Sequence, residues 1–169
     1  MQLDDAIRGR RTHKAFEPEP VSPELLEELL ELARWAPNHH LTEPWRFRVL
    51  GPGALARLKE AAGATEAPKL DRAPTLVAAS VVLTGAQQQD EEDLCAAACA
   101  IYAVLLCAHA RGLAGYWRTP GVLRVPAGRA AVGIPDGERV LGLIHLGAPR
   151  TAPAPPERRP VQGYVSYLD

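Results

Sequence analysis

Apolar positions along the chain fall into helical and strand periods, and these lay out its elements. Leu3 and Ile7, four apart behind Asp4 and Asp5, predict a short amphipathic helix ending near Gly9. Ser22 suits an N-cap and Pro23 a first helical position. Leu25, Leu26, Leu29, Leu32, Ala33 and Ala36 then form an apolar stripe that stops at Pro37. Trp45, Phe47 and Val49 alternate with Arg46, Arg48 and Leu50, the pattern of a strand with one apolar face. Gly51-Pro52-Gly53 closes it, and helical spacing resumes from Ala54 to Ala62. The stretch 63–74 reads as irregular and suited to a mobile flap.

Thr75 to Thr84 is apolar almost without break, as expected of a central strand buried on both faces. Asp90 is expected to cap the next helix, with Glu91, Glu92 and Asp93 in its first turn and a stop at Gly112. From Leu94 to Ala110 that helix is apolar nearly all round. This fits either a helix central to a core and a dimer interface or one crossing a membrane. Its apolar run is short for a span and rich in Ala and Cys, so the buried helix is the expectation. Gly115 to Pro120 predicts a short strand entering a loop, Pro126 to Ala131 a helical turn, and Val140 to Leu146 a further strand with His145 in the core. Beyond Gly147, Pro153, Pro155, Pro156 and Pro160 make an extended arm over 148–169, in which Tyr164 to Leu168 is strand-like.

Composition narrows the class. A chain of 169 residues is expected to fold as one domain over 1–169. A net charge of -1 gives no general attraction to nucleic acid or anionic membrane, so neither is expected as a partner and any anion site must be local. Three cysteines, all inside one predicted helix, argue against a disulfide framework and for a reducing cytoplasm, with the thiols small and buried. The N-terminus shows acidic residues and no apolar stretch of the kind a secretory signal needs.

Three stretches hold candidate chemistry. Arg10, Arg11 and Lys14 place three cations within five residues around the Thr12 hydroxyl, either a solvated basic turn or a grip for a phosphate monoester. The loop after the second helix carries Asn38 and the pair His39-His40, with Trp35 just before it. A metal site through these imidazoles and the distant cysteines is disfavoured, because no third ligand lies at ligand spacing. Gly115-Tyr116-Trp117-Arg118-Thr119 lets backbone approach a flat ligand and sets a cation at its edge, or else is a buried Trp beside a surface Arg. No Gly-x-Gly-x-x-Gly follows a strand, no P-loop lysine appears, and no Ser/His/Asp or Cys/His arrangement is evident.

In this order, Arg10-Arg11-Thr12-His13-Lys14-Ala15-Phe16, the stretch from Ala33 to Val49, and Tyr116-Trp117-Arg118-Thr119 resemble the FMN-dependent nitroreductase family. The resemblance runs from Arg10 to Leu168. It implies an α+β, three-layer fold: a central, mostly antiparallel sheet flanked by helices, with the C-terminal strand exchanged in a homodimer. It implies that FMN lies at the dimer interface, with Arg10 on the phosphate beside Arg11 and Thr12, and Lys14 at the pyrimidine edge. Thr12 stands where Ser is commoner. Trp35 and His39 would approach the flavin held mainly by the other subunit, Trp117, Arg118 and Thr119 would contact it, and Arg159 of the late Arg-Pro pair would reach the phosphate. The implied activity is ping-pong transfer of hydride from NADH or NADPH, through flavin N5, to a nitroaromatic, quinone or similar small acceptor. A same-fold flavin enzyme of different reaction, such as a dehydrogenase or a flavin-processing enzyme, and a non-catalytic flavin-binding dimer are the alternatives.

Overall fold

In the computed structural model, which describes residues 1–168, the chain builds a four-stranded antiparallel sheet between two layers of helix. The elements in order are α1 (Leu3–Gly9), α2 (Pro23–Ala33), β1 (Trp45–Val49), α3 (Pro52–Glu66), β2 (Thr75–Val82), α4 (Gln87–Ala110), β3 (Ala114–Arg118), α5 (Pro126–Ala131) and β4 (Glu138–Gly147). The strand order is β1-β2-β4-β3, with every pairing antiparallel.

Each face of the sheet has its own apolar layer. Leu26 and Leu29 of α2 and Ala97, Ile101 and Val104 of α4 pack on Val77, Ala79 and Val81. On the opposite face Leu58 of α3, Leu123 and Val132 pack on Leu76, Ala78 and Leu143. The continuous apolar run of β2 is thereby accounted for, since successive side chains enter different layers.

The pairing of β2 with β4 slips between Ala79 and Ser80, where Ala79 faces Gly142 and Ser80 faces Val140. Leu141 is the extra residue of this bulge, and its side chain joins Ile144 and Leu146 on the α4 face. Gly142 sits at φ 145°, where a Cβ would lie 2.5 Å from the Arg118 carbonyl oxygen and 2.7 Å from Trp117 Nε1. Beside the bulge, Arg48 donates to both carboxylate oxygens of Glu138 at 2.9 Å, and the Ser80 hydroxyl donates to one of them. Burial by itself would raise the Glu138 carboxyl, but the Arg48 and Ser80 hydrogen bonds together outweigh it and hold it below its ordinary range.

Several boundaries differ from the sequence reading. The stripe of α2 does not stay α-helical to Pro37: α2 ends at Ala33, and tighter bonds from Arg34, Trp35 and Ala36 to the residues three back keep Ala36 buried. Asp90 is not the cap of α4. The helix begins at Gln87, and the Asp90 carboxylate reaches back to accept from the Thr84 amide at 2.7 Å, the Thr84 hydroxyl at 2.8 Å and the Gly85 amide at 3.2 Å. Stretch 63–74 is more ordered than its composition suggests. Gly63, at φ 71°, breaks α3, and a 3₁₀ turn from Ala67 to Asp71 follows with Leu70 anchored in the core. Cys95 and Cys99 are exposed rather than buried, because the small face of α4 that meets the sheet is formed by Ala96, Ala97, Ala100 and Val104. Within the single chain residues 164–168 pair with no strand of their own sheet, a 3₁₀ turn spans Val161–Gly163, and the side chains after it are exposed. The last residue of the 148–169 arm lies outside the described residues.

Two outcomes follow from this frame. Gly142→Ala, which forces a side chain into both Trp117 and the β3 backbone at a positive φ, is expected to cost about 3 kcal/mol of stability in urea denaturation. His145 is fully buried, neither ring nitrogen has a hydrogen-bond partner, and burial first, then Arg118 and Arg72, push its pKa down to about 4. The unfolded chain takes up that proton near pH 6.5 while the folded chain does not. Stability is therefore intact above pH 6.5 and falls as the pH drops towards about 4, by at most ~1.4 kcal/mol per pH unit. His145→Leu is expected to flatten that slope between pH 6.5 and 5 in denaturation curves taken across the range.

Candidate functional site

Where α1 ends, Arg10 turns extended and the following residues lie alongside β3. Thr12 bridges Gly115 in parallel, the His13 amide donates to the Gly115 carbonyl at 3.2 Å, and Phe16 bridges Pro149. The His13 ring meets the Thr151 carbonyl at 3.1 Å, which ties the start of the arm to this run. The Arg10 guanidinium lies 6.0 Å over the Tyr102 ring of α4, with its Nε buried and without a hydrogen-bond partner. Around it, Arg8, Arg10, Arg11, Arg158, Tyr102 and Tyr164 line much of a cleft of about 650 Å³ whose lining holds no acidic side chain. Arg11 is partly committed elsewhere, since its Nη1 donates to the carbonyls of Arg8 and Arg10. Lys14 opens onto a different hollow, shared with Arg72 and Arg150 and with the acids Glu17 and Asp71.

At the end of β3 the alternation sends neighbouring side chains to opposite faces. Trp117 packs towards the α2 and α4 layer, and its indole N–H donates to the Leu141 carbonyl at 2.9 Å, the carbonyl exposed by the bulge. Arg118 points the other way and donates from Nη2 to Glu66 Oε2 at 2.8 Å, while its Nη1 is buried without a partner. Lys69 binds the other Glu66 oxygen. The Lys69 hydrogen bond is the largest influence on the Glu66 carboxyl; opposed by desolvation and helped by Arg118, it holds that carboxyl below its ordinary range. Thr119 is exposed and borders a cleft with Leu94, Arg124 and Arg139.

Loop 34–43 holds every non-glycine residue at positive φ among the described residues. His40, Leu41 and Glu43 have φ of 55°, 52° and 44°, a region that side chains other than Gly occupy at a cost. Side chains hold it there. The Thr42 hydroxyl donates to buried Asp93 at 2.6 Å, and Asn38 accepts from the Glu43 amide and donates to the Ala36 carbonyl. His39 Nδ1 lies 2.7 Å from Glu92 Oε2, and its ring stacks on His40 at 3.8 Å. The hydrogen bond from His39 is the first cause keeping the Glu92 carboxyl below its ordinary range. A cleft of about 520 Å³ opens between this loop and Cys95 and Cys99 of α4. Among the described residues no three His, Cys, Asp or Glu side chains are placed to hold a metal ion. Trp35 stands 77% exposed.

Within one chain these residues occupy separate places. The Thr12–Gly115 bridge sets the run from Arg10 to Lys14 alongside β3, the strand that ends in Trp117 and Arg118, whereas Trp35 and His39 belong to the loop against the start of α4. Arg159 is exposed on the arm, and it is Arg158 that lines the arginine cleft. Sequence reasoning passes over Tyr102, which reads only as part of an apolar helix. It also passes over Glu66 and Lys69, whose three-residue spacing lies in the stretch read as irregular.

A family model described as the nitroreductase family matches residues 7–148. The chain is 30% identical over 176 aligned positions to YfhC of Bacillus subtilis, provisionally named an NAD(P)H nitroreductase, with 95% of this chain and 91% of that protein covered. Among solved structures, a nitroreductase-like family protein from Bacillus cereus superimposes with a TM-score of 0.90 at 26% identity, covering all of this chain and 97% of the other. NfnB from a Sphigopyxis species, described as an FMN and NADPH-dependent nitroreductase, shares the fold at a TM-score of 0.84 and 15% identity, with both chains fully covered. With a family match across the sheet, the cationic run and the strained loop, the chain belongs to the nitroreductase family and is an oxidoreductase.

Proposed function

We propose that this single-domain protein is a cytoplasmic FMN-dependent NAD(P)H oxidoreductase that reduces nitroaromatic, quinone or similar small acceptors. The observation that supports this most is the arginine cleft, whose lining sets Arg8, Arg10, Arg11 and Arg158 around two tyrosines without an acid. Such a set suits a dianionic phosphate monoester, which needs charge-assisted donors. The residues also fit a flavin on a second count. Among the described residues three guanidinium nitrogens are buried without partners, and two of them, Nε of Arg10 and Nη1 of Arg118, belong to the candidate site, where a polar ligand would relieve them; the third is Nε of Arg129.

When bound, FMN supplies reversible two-electron chemistry at N5. The chain's own part is to hold and polarise. Arg10, with Arg158 in the place expected for Arg159, would grip the phosphate, with Arg11 and Thr12 alongside. Lys14 and Arg118 would face the pyrimidine edge, where reduction adds negative charge. Trp117 would act through packing, setting the backbone of Arg118 and Thr119 against the ring. Trp35 and His39 would come from a second copy of the chain, and the exposed Tyr164, Tyr167 and Leu168 would be covered on exchange of the arm in a homodimer.

An absorption spectrum of the purified protein, followed by anaerobic addition of NADH and NADPH in turn, tests this reading. A flavin spectrum that bleaches is the expected result. FMN that binds but does not bleach would leave a non-catalytic flavin protein, and a protein that takes up no FMN would remove the reading. Arg10→Ala is expected to weaken FMN binding roughly 10- to 100-fold in a fluorescence titration, the scale of one lost hydrogen bond to a charged group. Lys14→Met is expected to move the midpoint potential of the bound flavin to a more negative value, and an unchanged midpoint would end that role for Lys14.

A further inference from the structure

The tail of α3 folds back because Gly63 adopts φ 71° and ψ 171°. The 3₁₀ turn that follows is pinned by Leu70, which is 2% exposed. Together they carry Glu66 and Lys69 onto the end of β3. There one carboxylate is shared between two cations, Arg118 Nη2 at 2.8 Å on Oε2 and Lys69 on Oε1. The Arg118 side chain is only 15% exposed, while those of Glu66 and Lys69 are 38% and 37% exposed.

Fold stability does not account for this arrangement. A half-exposed ion pair contributes little, and the triad leaves a buried donor of Arg118 without a partner. What the triad does fix is position and charge. Arg118 is held by a single carboxylate, and two cations and one anion leave a net local charge of +1 where Arg118 and Lys69 alone would give +2.

We propose that Glu66 is a positioning residue that orients Arg118 and, through its negative charge, sets the reduction potential of the flavin, a role resting on the flavin reading above. Reduction adds negative charge at the flavin's pyrimidine edge. Cations nearby favour the reduced state, and the Glu66 carboxylate offsets them in part. Glu66 thus keeps the flavin a stronger reductant than an isolated Arg118 and Lys69 would. Gln at this position still accepts a hydrogen bond from Arg118 but carries no charge, so it separates the electrostatic effect from simple loss of structure.

The test is the midpoint potential of the FMN-loaded full chain, measured by anaerobic equilibration with a redox dye, in the wild type, Glu66→Gln, Glu66→Asp and Lys69→Met. Glu66→Gln is expected to raise the midpoint by about 30 mV, a roughly tenfold gain in preference for reduced over oxidised flavin in a two-electron couple. Lys69→Met is expected to lower it, and Glu66→Asp to return it towards the wild-type value. Bound flavin with the same midpoint in Glu66→Gln and Lys69→Met overturns the role of Glu66 and leaves the flavin reading intact. If Glu66→Gln does not fold, an unshifted Lys69→Met overturns it alone. A wild-type chain that takes up no FMN overturns the flavin reading itself.

Discussion

The constraint on which the rest depends is the double burial of β4. It pairs with β2 along one edge and β3 along the other, and apolar layers cover both of its faces. Its backbone groups are satisfied on both sides, so its register cannot slip without turning buried side chains outward. The bulge at Leu141 and Gly142 is set into this fixed strand. It presents the Leu141 carbonyl to the Trp117 indole and so determines which side of the sheet Arg118 faces. The N-terminal cationic run then borrows its own position from β3 through the Thr12 bridge.

Charge in this chain is organised locally. The overall balance is near neutral, yet three places concentrate it: the arginine cleft by α1, the Glu66 triad at the end of β3, and the Arg48–Glu138 pair under the bulge. They differ in kind. Arg48 and Glu138 satisfy each other and Ser80, a closed arrangement that serves the fold. Arg10 and Arg118, like Arg129 outside the candidate site, each keep a buried nitrogen unmatched.

Much of the frame is legible in the sequence because burial imposes period. The apolar run of β2 and the length of α4 follow from which residues must leave water, whereas the alternation expected of β1 holds for Trp45 and Phe47 only, since Val49 is half exposed and Arg48 turns in to Glu138. What is not legible are features decided by contacts distant in sequence. Asp90 looks like a helix cap, but in the fold its carboxylate serves the turn before the helix, and the glutamines that start α4 carry no apolar period. Gly63 reads as the end of order, whereas it is the joint that lets a second ordered turn fold back. The candidate site is legible as residue types and not as a place. Arg10, Lys14, Trp117 and Arg118 are nameable from their neighbours in the chain, but Glu66, Lys69, Arg158 and Tyr102 acquire meaning only once the sheet brings them alongside.

The strained loop before β1 bears on how this protein can change. His40, Leu41 and Glu43 each hold a backbone state that glycine would occupy without penalty, and the neighbouring Thr42 and His39 are tied to Asp93 and Glu92. Glycine at these positions would relieve strain on the order of 1 kcal/mol each, set against the larger entropy that glycine gives the unfolded chain. Glycine at position 40 would also remove the ring that stacks on His39, leaving the Glu92 bond to orient it. The loop therefore holds its shape through side-chain contacts that offset the backbone strain, and loosening either one changes what it presents at the start of α4.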